Sequence, residues 1–113
     1  MSEVTLSDTM SREEAVDRRR VIETVRRHEQ ELRGLGIRSL ALFGSVSRGE
    51  AGPRSDVDLL VEFERPVGLF TLARVRRRLA ELLAAEVDLV PRGAVHPGLR
   101  ESILGEAEEI LAA

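Results

Sequence analysis

The sequence predicts a single α/β domain: a small mixed β-sheet with helices packed against it. Three observations carry that reading. Apolar residues recur at helical spacing in three segments of the chain. Three short runs with strand character, Ile37 to Phe43, Val57 to Phe63 and Val87 to Val90, alternate with them. The length of 113 residues suffices for one compact domain and is too short for two.

In chain order, residues 1–10 read as a flexible leader and residues 11–113 as the domain. Ser11 and Glu14 fit a capping box, each satisfying a free amide at a helix start. Ala15, Ile22, Val25 and Leu32 then follow at helical spacing, and Gly34 and Gly36 stop the helix near Arg33. The first strand, Ile37 to Phe43, ends at Gly44-Ser45. Val46 to Ala51 is small and polar, one helical turn, and Gly52-Pro53 is a break. Val57, Leu59, Val61 and Phe63 alternate with Asp56, Asp58, Leu60 and Glu62, the pattern of a strand with one buried face. Leu72, Val75, Leu79, Leu82 and Leu83 mark a second long helix, and Val87 to Val90 a third strand. Leu99, Ile103, Ala107, Ile110 and Leu111 outline a C-terminal helix. The expected order is helix, strand, short helix, strand, helix, strand, helix.

Composition excludes several chemistries. The chain has no Cys, Lys, Tyr, Trp or Asn, and all 17 basic residues are Arg. Disulfides, thiolate catalysis, Cys-based metal sites, Lys nucleophiles and a Walker-type phosphate loop are therefore out. A net charge of −3 and only three aromatic residues, all Phe, give no argument for direct nucleic-acid binding. No signal peptide or apolar run of membrane-spanning length is present, so no membrane partner is expected and the expected location is cytoplasmic.

Five of the 20 acidic residues are Asp, and three of them, Asp56, Asp58 and Asp88, sit within strand-like runs. Residues two apart on a strand leave the same face, with Cα atoms about 6.5–7 Å apart, so Asp56 and Asp58 can converge on common cations. Oxygen ligands alone favour a hard ion such as Mg²⁺. Asp88 would add a third carboxylate if its strand lay beside that of Asp58, and three carboxylates can hold two metals about 4 Å apart, the spacing that supports phosphoryl transfer. The plainer alternatives are a turn or cap role for Asp56 and solvent-facing sheet positions for Asp58 and Asp88, although Asp is disfavoured inside strands. Gly44 allows close backbone approach to a ligand, the following amides and the Ser45 hydroxyl can bond phosphate oxygens, and Arg48 can add a bidentate contact.

Gly44-Ser45, ten intervening residues, then Asp56-x-Asp58 is the signature of the polymerase-β-like nucleotidyltransferase superfamily. The neighbouring words, Leu42-Phe43, Arg48-Gly49, Val57, Leu59-Leu60-Val61 and Val87-Asp88-Leu89-Val90, extend the likeness. The chain resembles a minimal nucleotidyltransferase of the MntA type over nearly its whole length, which implies the polymerase-β-like nucleotidyltransferase fold for residues 11–113. The resemblance further implies transfer of AMP from ATP to a tyrosine hydroxyl of a partner HEPN-family toxin, so that the chain acts as the antitoxin of a toxin–antitoxin pair. It assigns Asp56 and Asp58 to two Mg²⁺ ions, and Asp88 to the ion that activates the attacking hydroxyl, with a share in accepting its proton. Gly44, Ser45 and Arg48 would bind the nucleotide. With no Tyr in the chain, any tyrosine acceptor belongs to another chain. A chain this short is also expected to leave acceptor positioning to a partner. Two rival functions remain: a non-catalytic antitoxin acting by binding alone, and a nucleotidyltransferase acting on a small-molecule acceptor.

Weaker signals are read conservatively. Gly34-Leu35-Gly36 precedes a strand instead of following one, so no dinucleotide site is expected. His28 and His96 read as solvated. The Arg18–Arg20 and Arg26–Arg27 cluster and the Arg74, Arg76–Arg78 cluster read as solvated helix faces.

Overall fold

The computed structural model describes residues 17–44, 56–95, 98, 103 and 105–113. The expected leader, the Ser11 capping box and the helical turn between residues 46 and 51 lie outside them.

The first helix, α1, spans Arg18–Arg27 and starts where Asp17, in extended backbone, accepts the Arg20 amide at 2.8 Å. An Asp at the cap satisfies one of the amides that have no partner within the helix. The expectation of one helix running unbroken to about Arg33 is therefore corrected within the described residues: a helix starts at Arg18 behind the extended Asp17, and it breaks at His28 into α1 and a short α2, Glu29–Gly34. His28 is half-buried, and its Nδ1 lies 2.9 Å from the Thr24 carbonyl oxygen, so it is not the freely solvated ring the sequence suggested. Gly36 makes the turn into the sheet with φ of +95°, while its amide donates to the Arg33 carbonyl.

Four strands follow: β1 (Ile37–Phe43), β2 (Val57–Phe63), β3 (Val87–Pro91) and β4 (Glu108–Leu111). They form one mixed sheet in the order β3-β2-β1-β4, with β1 antiparallel to both its neighbours and β2 parallel to β3. Parallel neighbours need a crossover, and α3 (Leu69–Leu83) supplies it between β2 and β3.

The expected C-terminal helix is overturned at its end. Ile110 and Leu111 lie in β4, where Leu111 pairs with Leu40 and Glu108 with Leu42. Ahead of β4 the described residues Gly98, Ile103, Gly105 and Glu106 are helical, and the Ala107 amide donates to the Ile103 carbonyl at 2.9 Å. The free edge of β1 provides a partner for the backbone of these last residues, and burying Ile110 and Leu111 together outweighs a weak helical preference.

Both faces of the sheet are covered. Val57, Leu59 and Val61 of β2 join Leu40 and Leu42 in the main core, against Val21, Val25 and Leu32 of the N-terminal helices and Val75, Leu79 and Leu83 of α3. On the other face Leu60 joins Ala41 and Val95 in a smaller cluster flanked by Phe43 and Val90. The pattern of β2 thus has two buried faces at its centre, not the one that alternation suggested, and Asp58 shares the face of Leu60.

Candidate active site

The smaller apolar face ends in acid. In β2, Asp58 precedes Leu60 on that face, and in β3, Asp88 precedes Val90. Parallel pairing sets Asp58 against Asp88, Leu59 against Leu89 and Leu60 against Val90. The condition placed on Asp88 is met: its strand is the neighbour of the Asp58 strand. Paired positions on adjacent strands send side chains to the same face with strands about 4.8 Å apart, so two carboxylates stand side by side. Like charges directly opposite each other repel, and a cation or a proton relieves them.

The third neighbour is β1. Phe43 pairs with Asp58, and the chain leaves β1 through Gly44, whose φ is +78°. A β-carbon at Gly44 would lie 2.1 Å from Asp58 Oδ2 and 3.2 Å from Asp58 Cβ. No side chain fits there, and the backbone conformation disfavours one independently. Glycine thus lets the strand end pass directly beside the Asp58 carboxylate.

Asp56 lies just ahead of β2 and is exposed, Asp58 is half-buried, and Asp88 is exposed. The Val57 amide donates to the Glu86 carbonyl at 2.9 Å, tying the start of β2 to the residue before β3. That bond keeps the three acids at one end of the parallel pair. Ser45 and Arg48 lie outside the described residues. Among the described residues no three Asp, Glu or His side chains are gathered closely enough to hold a metal ion. What fits a hard divalent cation is the chemistry of the donor set: carboxylates on neighbouring strands, with glycine backbone against one of them.

Sequence reasoning missed one surface. Leu69 and Phe70, in the first turn of α3, are 82% and 91% exposed. The signal was available, since both residues fall outside the Val75, Leu79, Leu83 stripe that faces the core. The Arg cluster of α3 is solvated at Arg74, Arg76 and Arg77, as expected, but Arg78 is half-buried and binds Glu31 and Glu81. No helix among the described residues is long and apolar enough to cross a membrane.

Residues 18–110 match the family model for a nucleotidyltransferase domain. The protein adenylyltransferase MntA of Thermococcus cleftensis is 40% identical over 80 residues, which span 70% of this chain and 81% of that protein. A solved structure described as that of a minimal nucleotidyltransferase is 40% identical, with a TM-score of 0.62 over 76% of this chain and 92% of its own. A complex of a tri-AMPylated Shewanella oneidensis HEPN toxin with MNT antitoxin shares the fold, with a TM-score of 0.60 and 20% identity over 80% of this chain and 71% of that one. The chain belongs to the nucleotidyltransferase domain family, among its minimal, MntA-type members.

Proposed function

We propose that this nucleotidyltransferase transfers AMP from ATP to a tyrosine hydroxyl of a HEPN-family toxin and so acts as its antitoxin in the cytoplasm. The observation that carries the reading is the pairing of Asp58 with Asp88 beside Gly44, a site with the acids of phosphoryl transfer and glycine backbone directly against one of them. Support for the acceptor comes from relatives. The Thermococcus cleftensis protein is named a protein adenylyltransferase, and solved relatives include a toxin–antitoxin complex with AMP-PNP and the tri-AMPylated HEPN toxin complex.

In this reading Asp56, Asp58 and Asp88 hold Mg²⁺, two ions in all. Bound Mg²⁺ would lower the pKa of the acceptor hydroxyl and neutralise charge on the phosphates. The chain's own residues do the rest. Gly44 and the amides after it, with Ser45 and Arg48, hold the triphosphate so that its α-phosphorus faces the acceptor oxygen. As the new P–O bond forms, the bond from the α-phosphorus to the bridging oxygen breaks, and pyrophosphate leaves with the electron pair. Asp88 accepts the hydroxyl proton.

The test incubates the protein with ATP, Mg²⁺ and its HEPN partner and follows the intact mass of both chains. The expected result is addition of AMP to the partner alone, reduced on the order of 100-fold or more by Asp56→Ala. Neutralisation of the toxin that survives Asp56→Ala, with no mass increment at any time, would show a binding antitoxin instead. Transfer to a small molecule with the partner left unmodified would show the third function.

A further inference from the structure

The strand order leaves β3 at an edge of the sheet, and its free side can be assigned residue by residue. The Val57 amide donates to the Glu86 carbonyl, and Val57 is in register with Val87. Successive residues of a strand turn their backbone groups to opposite sides, so Glu86, Asp88 and Val90 bond toward β2. Val87, Leu89 and Pro91 face outward.

What that edge offers is centred on one residue. Pro91 has no N–H to give. Ahead of Val87, the Ala85 amide is taken by the Ala80 carbonyl at 3.2 Å. The outward amides left are those of Val87 and Leu89, and neither has a partner among the described residues. Their side chains are buried in the main core, so backbone is what they turn outward. Between them stands Asp88, exposed and on the face that carries Asp58. The strand is five residues long, ends in proline and carries a charge, features that keep an edge from pairing indiscriminately.

A strand laid antiparallel on this edge forms hydrogen-bonded pairs with Val87 and Leu89. The residue between them falls opposite Asp88 in a non-hydrogen-bonded pair, where Cα atoms are about 4.5 Å apart and side chains are closest. Both side chains of such a pair leave the same face. A tyrosine there stands beside the carboxylate that takes the hydroxyl proton. We propose that an extended segment of the acceptor protein adds to the sheet along β3, held by the Val87 and Leu89 backbone, with its acceptor residue opposite Asp88. A second copy of the chain is a poorer occupant, because it has no Tyr to bring there. The inference rests on the transfer reading above and adds to it a means of positioning the acceptor.

Amide exchange at single-residue resolution tests it, in the free protein and with the HEPN partner, Mg²⁺ and a non-hydrolysable ATP analogue. In the free protein the Val87 and Leu89 amides should exchange about tenfold faster than those of Asp88 and Val90 or more, and in the complex they should slow about tenfold. Leu89→Pro removes one outward N–H, while Leu89→Ala removes the same buried side chain and keeps the N–H. Affinity for the partner should be about tenfold lower in the proline variant than in the alanine variant, with ATP affinity equal in the two. Exchange at Val87 and Leu89 that is already slow in the free protein, or unchanged in the complex, overturns the proposal. So does protection that grows with the concentration of this chain alone, which assigns the edge to a second copy. If AMP reaches the partner while these amides stay unprotected, edge pairing fails and the transfer reading stands. If no AMP is transferred, that reading fails and the inference with it.

Discussion

At Gly44 two independent demands fall on one residue: a backbone angle that L-residues avoid, and a space already filled by the Asp58 carboxylate. Gly44→Ala therefore has two consequences. The left-handed conformation costs about 1–2 kcal/mol with a side chain present. The added carbon also forces the Asp58 carboxylate to rotate away, because the clash reaches back to Asp58 Cβ. We expect a urea midpoint lowered in keeping with that cost, and AMP transfer reduced nearly as far as in Asp58→Ala. A variant that loses stability but transfers AMP at the normal rate would separate Gly44 from the site. Gly44 and the Asp residues were legible in the sequence because their meaning lies in short spacings. Asp88 was legible only conditionally: its residue type pointed to the site, but its strand neighbour is a matter of topology.

Among the elements, α3 ends on Ala84 at φ 52° and ψ 44°, the conformation in which helices commonly place glycine. Its cost is accepted in the turn that delivers the chain to β3, where Arg20 also donates to the Leu83 carbonyl at 3.1 Å. Ala84→Gly should raise stability by about 1 kcal/mol, read as a higher urea midpoint at unchanged m-value, and should leave transfer unaffected. The central strands and α3 were readable because long periodic segments announce themselves. The final element was not. Ile103, Ala107, Ile110 and Leu111 have helical spacing, yet the edge of β1 recruits Glu108–Leu111 as a strand. Four residues carry too little intrinsic preference to resist a partner that satisfies their backbone and buries two side chains. The break at His28 was hidden for a similar reason, since both halves keep the same apolar spacing across it.

At the scale of the whole molecule, ion pairs among the described residues bind elements that are distant in sequence. Arg18 grips Glu108 with two guanidinium nitrogens and so joins α1 to β4, while Arg78 grips Glu31 and joins α3 to α2. Hydrogen bonding from each arginine holds the Glu108 and Glu31 carboxyls below their ordinary value of 4.5. The unfolded chain therefore takes up protons first as pH falls, and the contribution of these pairs is complete above the ordinary value. It is lost as pH drops through the lowered values of the folded state. Urea midpoints measured from pH 7 down to about pH 3.5 should decline, less steeply in Glu31→Gln with Glu108→Gln and less steeply in high salt. An unchanged profile in the double variant would assign acid sensitivity to other groups. The parallel register of β2 and β3 has a consequence for insertions and deletions. The alternation of a strand has a parity, and Asp88 faces Asp58 only while that parity is kept. Length changes between β2 and α3 can be absorbed by the connection. A single residue gained or lost within β3 ahead of Asp88 would instead turn the carboxylate toward α3 and an apolar side chain toward Asp58, so sequence drift at this site is constrained in steps of two.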